Sequence, residues 1–230
     1  MLTGPHNLAS HIHNVRSRIG KAAAIAGRDP ASITIVAVTK SQPAEVIRAA
    51  AMLGVTEFGE NYVREAAEKI EFLRDLPLNW HFIGAIQANK TRAIAAQFAW
   101  VHSVDRLSVA RRLSEQRPFH APLLNVCIQV ALVAEANKSG VLPAELPAVA
   151  EALAALPRIR LRGLMCLPPP EPQVALQREV FARLRRLLEG LNADGLRLDT
   201  LSMGMSGDFE AAIAEGATHV RIGTALFGQR

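Results

Sequence analysis

Short apolar runs alternate along the chain with longer amphipathic segments, which predicts a regular succession of strands and helices. The clearest strand is the run 33–39, Ile-Thr-Ile-Val-Ala-Val-Thr, whose apolar residues on both faces predict burial on both sides. Before it, residues 8–26 predict a helix that ends at Gly27. After it, Pro43 opens a second helix that ends at Gly54.

The same alternation continues to the end of the chain and predicts eight strands in 230 residues. The remaining predicted strands are 57–60, 80–83, 100–103, 124–130, 161–165, 200–202 and 219–222, and the remaining helices are 62–73, 90–97, 106–116, 144–155, 174–189 and 208–215. Alternating strands and helices predict an α/β fold with a parallel sheet, and eight units without a linker favour a single closed (β/α)8 barrel of the TIM type. We take residues 1–230 as one domain. A doubly wound open sheet is the alternative, because several predicted strands contain only three or four residues.

The composition is that of a globular protein. Hydrophobic residues make up 50% of the chain and charged residues 20%, which excludes disorder as its main description. The 26 Lys and Arg residues exceed the 21 Asp and Glu residues by five, an excess that suits a phosphate-bearing ligand as well as nucleic acid. Aromatic residues are only 5%, so a base-stacking surface is poorly supplied and we expect no nucleic-acid partner.

The sequence also predicts a cytoplasmic protein. Residues 1–20 contain no apolar core of a signal peptide, and the longest uncharged stretch, 118–134, is too short and too polar to cross a bilayer. The two cysteines, Cys127 and Cys166, are far apart in sequence and belong to no metal-ligand pattern. We therefore expect buried, reduced thiols, no metal site and no membrane partner.

Lys40 directly follows the strand 33–39. In a (β/α)8 barrel, ligands bind at the C-terminal ends of the strands, so polar residues at those positions carry the most functional weight. The period of two along a strand places Lys40 on the same face as Val36 and Val38. At the mouth of an apolar barrel, desolvation favours the neutral amine, which attacks an aldehyde to form a Schiff base. The alternative is a surface lysine that merely ends a strand.

Two segments after the seventh and eighth strands have the composition of a phosphate site. Residues 202–208, Ser-Met-Gly-Met-Ser-Gly-Asp, lead from a strand into a helix, and residues 221–224, Arg-Ile-Gly-Thr, open the last helix. Both offer small residues, a hydroxyl and backbone N–H groups, and barrels of this type bind phosphate after these two strands. A helix cap explains either segment alone. The two segments together with Lys40 suggest pyridoxal 5′-phosphate (PLP) as cofactor.

Four other polar residues are weaker candidates. Asn61 is either a ligand contact or the N-cap of the next helix. His81 is either a general base or a hydrogen-bonded structural histidine. Lys90, at the start of a predicted helix, and Lys138, in a predicted loop, are either secondary sites for capture of an aldehyde or solvated lysines. No zinc-protease, Walker or dinucleotide-binding motif is present in the sequence.

Several ordered sequence blocks resemble the YggS/PROSC family of PLP-binding proteins, also called pyridoxal phosphate homeostasis proteins. The blocks are VAVTK (36–40), FGENY (58–62), WHFIG (80–84), QANK (87–90), KSG (138–140), RGLM (162–165), SMGMS (202–206) and VRIGTALFG (220–228). The resemblance extends from about Asn7 to Gly228. It implies a fold-type III PLP barrel, similar to the N-terminal domain of alanine racemase.

The resemblance also implies roles for individual residues. Lys40 is similar to the Schiff-base lysine of the family, Arg221 to the arginine that faces the pyridine nitrogen, and Ser206, Gly223 and Thr224 to its phosphate-binding positions. A cation at that nitrogen disfavours its protonation, so the ring is a weaker electron sink and transamination is poorly supported. The full set of expected cofactor-binding residues is Lys40, Asn61, His81, Met203, Ser206, Gly207, Arg221, Gly223 and Thr224, and we expect no catalytic residue.

The function that the resemblance implies is PLP homeostasis, by buffering or delivery of the cofactor, without robust catalysis. The alternative is a PLP-dependent amino-acid racemase, which needs an acid/base group on each face of the substrate. Alanine racemases take the second group from a further domain of the partner subunit. We expect this chain to lack that domain, and its only tyrosine is Tyr62 at a helix start. The expected partners of this monomer are PLP and the apo-forms of PLP-dependent enzymes. The chain departs from the family pattern at Ala85, Ala131 and Cys166, on the substrate side of the pocket.

Overall fold

The computed structural model describes residues 5–132 and 139–229, and these contain the eight strands that the periodicity predicts. The strands are β1 (Thr34–Val38), β2 (Glu57–Glu60), β3 (Asn79–Phe82), β4 (Trp100–Val104), β5 (Leu124–Gln129), β6 (Ile159–Met165), β7 (Thr200–Ser202) and β8 (His219–Ile222). The helices are α1 (Pro5–Ile25), α2 (Ala44–Met52), α3 (Val63–Phe72), α4 (Thr91–Gln97), α5 (Leu107–Gln116), α6 (Leu146–Ala154), α7 (Val174–Ala193), α8 (Phe209–Ala214) and α9 (Thr224–Phe227).

The strands form a closed parallel barrel in chain order. Each strand pairs with the next one along the chain, and β8 pairs with β1 in a register that joins Val36 to Arg221 and Ala37 to Ile222. The prediction of a closed (β/α)8 barrel is confirmed. The open doubly wound sheet is wrong, because such a sheet leaves two edge strands unpaired whereas β1 and β8 pair here.

Helix α7 shows why the amphipathic segments lie outside the barrel. Its buried residues Phe181, Leu184, Leu188 and Leu191 recur at intervals of three or four, so they form one apolar stripe. The helix extends to Ala193, beyond the predicted end at residue 189, because Leu191 continues that stripe. None of the helices within residues 5–132 and 139–229 combines the length and apolar character needed to cross a membrane.

Both cysteines are buried and free, as expected. Burial raises the pKa of Cys127 and of Cys166 to about 12, so both thiols are protonated at neutral pH.

Strands β6 and β7 approach closely at Gly163. A Cβ atom on this residue would lie 1.8 Å from the carbonyl oxygen of Thr200, its partner on β7. Only a glycine fits between these two backbones, so the position is a steric requirement of the barrel.

We expect Gly163→Ala to lower the free energy of unfolding by at least about 2 kcal/mol, because the added methyl meets backbone that has no side-chain rotamer to change. Gly190→Ala is the matched control. It lies within α7, its Cβ would have no atom within 4 Å, and we expect a gain of up to about 1 kcal/mol from helix propensity. Urea unfolding curves measure both variants, and equal stabilities would contradict the steric argument.

Candidate functional site

An open cavity of about 650 Å³ lies at the C-terminal end of the barrel, a size usual for small-molecule sites. Its described lining comprises Val38, Lys40, Asn61, Ile83, Leu167, Met205, Ser206, Gly207, Arg221, Gly223, Thr224 and Gln229. These residues end or follow strands from several positions around the barrel. The described lining includes two cations and no carboxylate, so the cavity favours an anionic ligand.

Seven of the nine expected cofactor-binding residues line this cavity. They are Lys40, Asn61, Ser206, Gly207, Arg221, Gly223 and Thr224. The structure therefore brings the lysine after β1 together with the small and hydroxyl-bearing residues after β7 and β8.

Lys40 is half-buried and lies in a tight turn between β1 and α2. Gln42 N donates to the Thr39 carbonyl oxygen at 2.9 Å, and Ser41 has a φ of 62°, a left-handed conformation that is uncommon for residues other than glycine. Val38 lines the same cavity two residues earlier. The turn thus continues the inward face of β1, and Lys40 is part of the cavity rather than of the outer surface.

A buried ionic cluster holds this turn. Lys69 Nζ donates to Glu60 Oε1 at 2.7 Å and to Glu65 Oε1 at 2.6 Å. The same amine donates to the Thr39 carbonyl oxygen at 2.7 Å, and Glu65 Oε1 accepts the Ser41 N–H at 2.5 Å. Burial raises the pKa of Glu60, although hydrogen bonds from Lys69 and Thr39 oppose the rise. The cluster fixes the residues on both sides of the cavity lysine.

Asn61 reaches the cavity because two loops approach closely at Gly84. A Cβ on Gly84 would lie 2.2 Å from the Asn61 carbonyl oxygen. Tyr62, not Asn61, is the N-cap residue of α3, so the alternative interpretation of Asn61 as an N-cap is wrong. Asn61 Oδ1 is buried and has no hydrogen-bond partner among the described residues. Buried polar atoms are normally paired, so this oxygen is available to a donor from a ligand.

The loop between β7 and α8 is locked by its own hydrogen bonds. Met205 N donates to Asp208 Oδ1 at 2.5 Å, and Ser206 Oγ accepts the Ala225 N–H at 3.2 Å. Gly204 has a φ of 93°, and a Cβ there would lie 2.7 Å from a side chain of α8. These contacts tie the loop to the start of α9, so the parts of the cavity wall that follow β7 and β8 form one unit.

Arg221 supplies a fixed cation to the cavity wall. Its side chain donates to Ser202 Oγ and to the Cys166 carbonyl oxygen, both at 2.8 Å. The residue is buried, and burial lowers the pKa of the guanidinium below its ordinary value. No carboxylate among the described residues lies within ion-pair distance of it.

The other two expected residues, His81 and Met203, are not among the described residues that line the cavity. His81 lies in the barrel interior, where its Nε2 is 2.7 Å from Glu57 Oε2 and its Nδ1 is 2.8 Å from His102 Nε2. These contacts match the structural role considered for it. Met203 is fully buried, and Met205 lines the cavity instead.

Of the two lysines considered as secondary sites, only Lys90 lies in the described part of the structure. Lys90 is exposed and lines a neighbouring cavity of about 520 Å³ together with Tyr62. Lys138 lies outside the described residues. The three departures from the family pattern, Ala85, Ala131 and Cys166, all line a further cavity of about 230 Å³. That cavity shares Ile83 and Leu167 with the main one.

The residues that hold the cavity wall in place were not among those expected from the sequence. The Glu65–Lys69 pair has the i, i+4 spacing of a helical ion pair, a signal that was present. Glu57, His102 and Ser202 lie on predicted strands, but their contacts join strands that are distant in sequence, and no local pattern indicates those contacts.

The chain is similar throughout its length to known proteins. The family model described as "Alanine racemase, N-terminal domain" matches residues 10–230. The pyridoxal phosphate homeostasis protein of Pseudomonas aeruginosa is 60% identical over 97% of this chain and 96% of that protein. The protein of the same description from Escherichia coli is 48% identical over 98% and 97%. The solved structure of PipY from Synechococcus elongatus with PLP bound has a TM-score of 0.86 and 38% identity, covering 96% of this chain and all of that one.

We expect Lys69→Met to lower the free energy of unfolding by about 3 kcal/mol or more, because it leaves the fully buried Glu60 carboxylate without its cation. Adding Glu60→Gln should recover part of that loss. Arg64→Met removes one partner of an exposed ion pair on α3, and we expect a change below about 0.5 kcal/mol there. A double variant no more stable than Lys69→Met, measured by urea unfolding, would contradict the coupling.

Three buried histidines predict a loss of stability in mild acid. Burial lowers the pKa of His81, lowers that of His102 well below its ordinary value, and lowers that of His219 to about 3. Below pH 6.5 the unfolded chain binds protons that the folded chain does not. Stability therefore falls as the pH falls, by at most about 1.4 kcal/mol per pH unit for each histidine that stays neutral in the folded chain. Urea unfolding at pH 7.5, 6.5 and 5.5 measures this slope.

The variant His219→Asn should reduce the acid slope, since one of the three groups is removed. His13→Gln is the control, because His13 is exposed on α1 and we expect the slope of the unmodified protein. Stability that stays constant between pH 6.5 and 5.5 would overturn this expectation.

Proposed function

This chain belongs to the alanine racemase N-terminal domain family and, within it, to the pyridoxal phosphate homeostasis proteins, and on that premise we propose that it binds PLP in the cavity at the C-terminal end of the barrel. Its function is then to buffer or deliver the cofactor rather than to catalyse a reaction with it. The observation that carries the proposal is that Lys40, Arg221 and Ser206 line one cavity.

The donor set of the cavity fits PLP. The molecule has an aldehyde, a phosphate group, a phenolic hydroxyl and a flat aromatic ring with one nitrogen. The cavity offers an amine, a guanidinium, two hydroxyls and apolar side chains such as Val38 and Ile83. The buried Asn61 Oδ1 adds a hydrogen-bond acceptor that no described residue uses.

Different residues of the cavity wall would contact different groups of PLP. PLP supplies an aldehyde that forms a Schiff base with an amine, here that of Lys40. Ser206 and Thr224 offer hydroxyls to a phosphate, and Gly207 and Gly223 allow a close approach to the backbone. Arg221 carries only N–H donors, so it holds a neighbouring ring nitrogen in the unprotonated state.

The described structure favours a carrier over a racemase. Racemisation needs an acid/base group on each face of the substrate. Tyr62 is 62% exposed and lines the neighbouring cavity of about 520 Å³ rather than the main one. We accordingly propose a cytoplasmic monomer that passes PLP to the apo-forms of PLP-dependent enzymes.

Covalent mapping tests the site. The protein is mixed with PLP, reduced with borohydride and digested, and the modified lysine is identified by mass spectrometry. We expect the label on Lys40 and none on that peptide in Lys40→Ala. Lys90→Ala is the matched control and should keep the label, because Lys90 is exposed and outside the cavity.

The phosphate side is tested in the same material by comparing PLP with pyridoxal, which lacks the phosphate. We expect Ser206→Ala to weaken PLP binding about tenfold, since a hydrogen bond to a charged group contributes about 1.5–3 kcal/mol. Pyridoxal binding should not change. A label on other lysines alone, or equal losses for PLP and pyridoxal, would count against this assignment.

A further inference from the structure

A line of hydrogen bonds runs through the barrel interior from Glu57 to Arg221. Glu57 Oε2 is 2.7 Å from His81 Nε2, and His81 Nδ1 is 2.8 Å from His102 Nε2. His102 Nδ1 is 2.7 Å from Ser202 Oγ, which accepts a hydrogen bond from Arg221 at 2.8 Å. We call these five residues the interior chain.

The interior chain crosses the barrel rather than following its wall. His102 is on β4 and Ser202 is on β7, and β5 and β6 lie between them in the barrel order. A hydrogen bond between those strands therefore passes through the interior. His81, His102 and Ser202 are all 0% exposed, whereas the side chain of Glu57 retains 21% of its exposure at the other end.

The direction of the hydrogen bonds follows first from Arg221. A guanidinium has donors and no acceptor, so Ser202 Oγ accepts from it. The only hydrogen on Ser202 Oγ is then available to His102 Nδ1. If Ser202 donates there, the neutral His102 carries its proton on Nε2 and donates to His81 Nδ1. His81 in turn carries its proton on Nε2 and donates to Glu57.

The same direction follows independently from Glu57. Burial raises the pKa of Glu57, but hydrogen bonds from His81 and Asn79 outweigh that effect and leave the pKa below its ordinary value. Burial lowers the pKa of His81, so the imidazole is neutral at pH 7. An ionised carboxylate accepts only, which requires the His81 proton on Nε2 and leaves Nδ1 as an acceptor. The assignment made from Arg221 and the assignment made from Glu57 give the same donor and the same acceptor for every hydrogen bond of the interior chain.

We propose that Glu57, His81, His102 and Ser202 are positioning residues for Arg221. Their hydrogen bonds all run in one direction and hold the Arg221 side chain in the cavity wall. They also link its guanidinium to the Glu57 carboxylate at the far end of the barrel. Every donor in the interior chain points away from Arg221 and toward Glu57. Each oriented group presents its negative end to the guanidinium, so the interior chain stabilises a buried cation that has no described carboxylate within ion-pair distance and is influenced by Asp208 only through its charge. The consequence for PLP rests on the proposed function, whereas the hydrogen-bond assignment does not.

Nuclear magnetic resonance of the cofactor-free protein tests the assignment directly. Nitrogen-15 shifts of the imidazoles distinguish the two tautomers. We expect the proton on Nε2 of both His81 and His102. A proton on Nδ1 of either residue, or a charged imidazole at pH 7, would overturn the proposal without the need for any variant.

Transmission along the interior chain is the second readout. Glu57→Gln removes the charge at one end, and we expect it to shift the nitrogen-15 resonances of His102, which does not touch Glu57. Glu71→Gln is the control, because Glu71 is an exposed residue on α3 that is paired with Arg74. A response confined to His81 would show a merely local role for Glu57 and contradict the link.

PLP affinity is the third readout and separates this inference from the proposed function. Ser202→Ala removes the link to Arg221 with little change in volume, and we expect the Kd for PLP to rise about tenfold. Ser114→Ala, the same change at a buried serine of α5 outside the interior chain, should leave it unchanged. If Lys40 is labelled but Ser202→Ala leaves the Kd for PLP unchanged, the positioning role alone is overturned. Failure of Lys40 labelling overturns the proposed function and leaves the tautomer test standing.

Discussion

The pairing of β8 with β1 is the interaction on which the rest of this structure depends. It joins the last strand to the first, so that Val36 lies opposite Arg221 in the register. Lys40 follows one of these strands, and Gly223 follows the other. Residues that are some 180 positions apart in the sequence therefore line one cavity. An open sheet of the same strands would separate them, because β1 and β8 would not be neighbours.

The protein stabilises two of its buried cations, Lys69 and Arg221, in different ways. Lys69 has two carboxylates within hydrogen-bond distance, and this pairing compensates its desolvation locally. Arg221 donates to a hydroxyl and a carbonyl oxygen, and Asp208 acts on it only through its charge. The hydrogen-bonded route from Arg221 to a carboxylate runs through a serine and two imidazoles. The difference suits their positions. Lys69 fixes a turn next to the cavity, whereas Arg221 itself lines the cavity.

Local patterns in the sequence predicted the elements and the rim of the cavity, since both depend on neighbouring residues. The position of Lys40 after a strand made it a candidate, and the segments 202–208 and 221–224 stood out by their place before predicted helices. The roles of Ser206 and Thr224 as individual residues were implied by the family resemblance. Alternation gives the face of a side chain but not its partner across the barrel. This is why His81 was expected at the cavity, whereas the structure places it against His102 and Glu57. Asn61 was ambiguous for a similar reason, since its position depends on the approach of Gly84.

The interior chain also limits which substitutions the core of the barrel can accept. Replacing any single link by an apolar residue leaves a buried donor or acceptor unsatisfied on each side of it, which costs more than the bond itself contributes. The apolar alternative becomes acceptable only when neighbouring links are exchanged together. Substitutions at His81, His102 and Ser202 should therefore covary among related chains, although these residues lie on three separate strands.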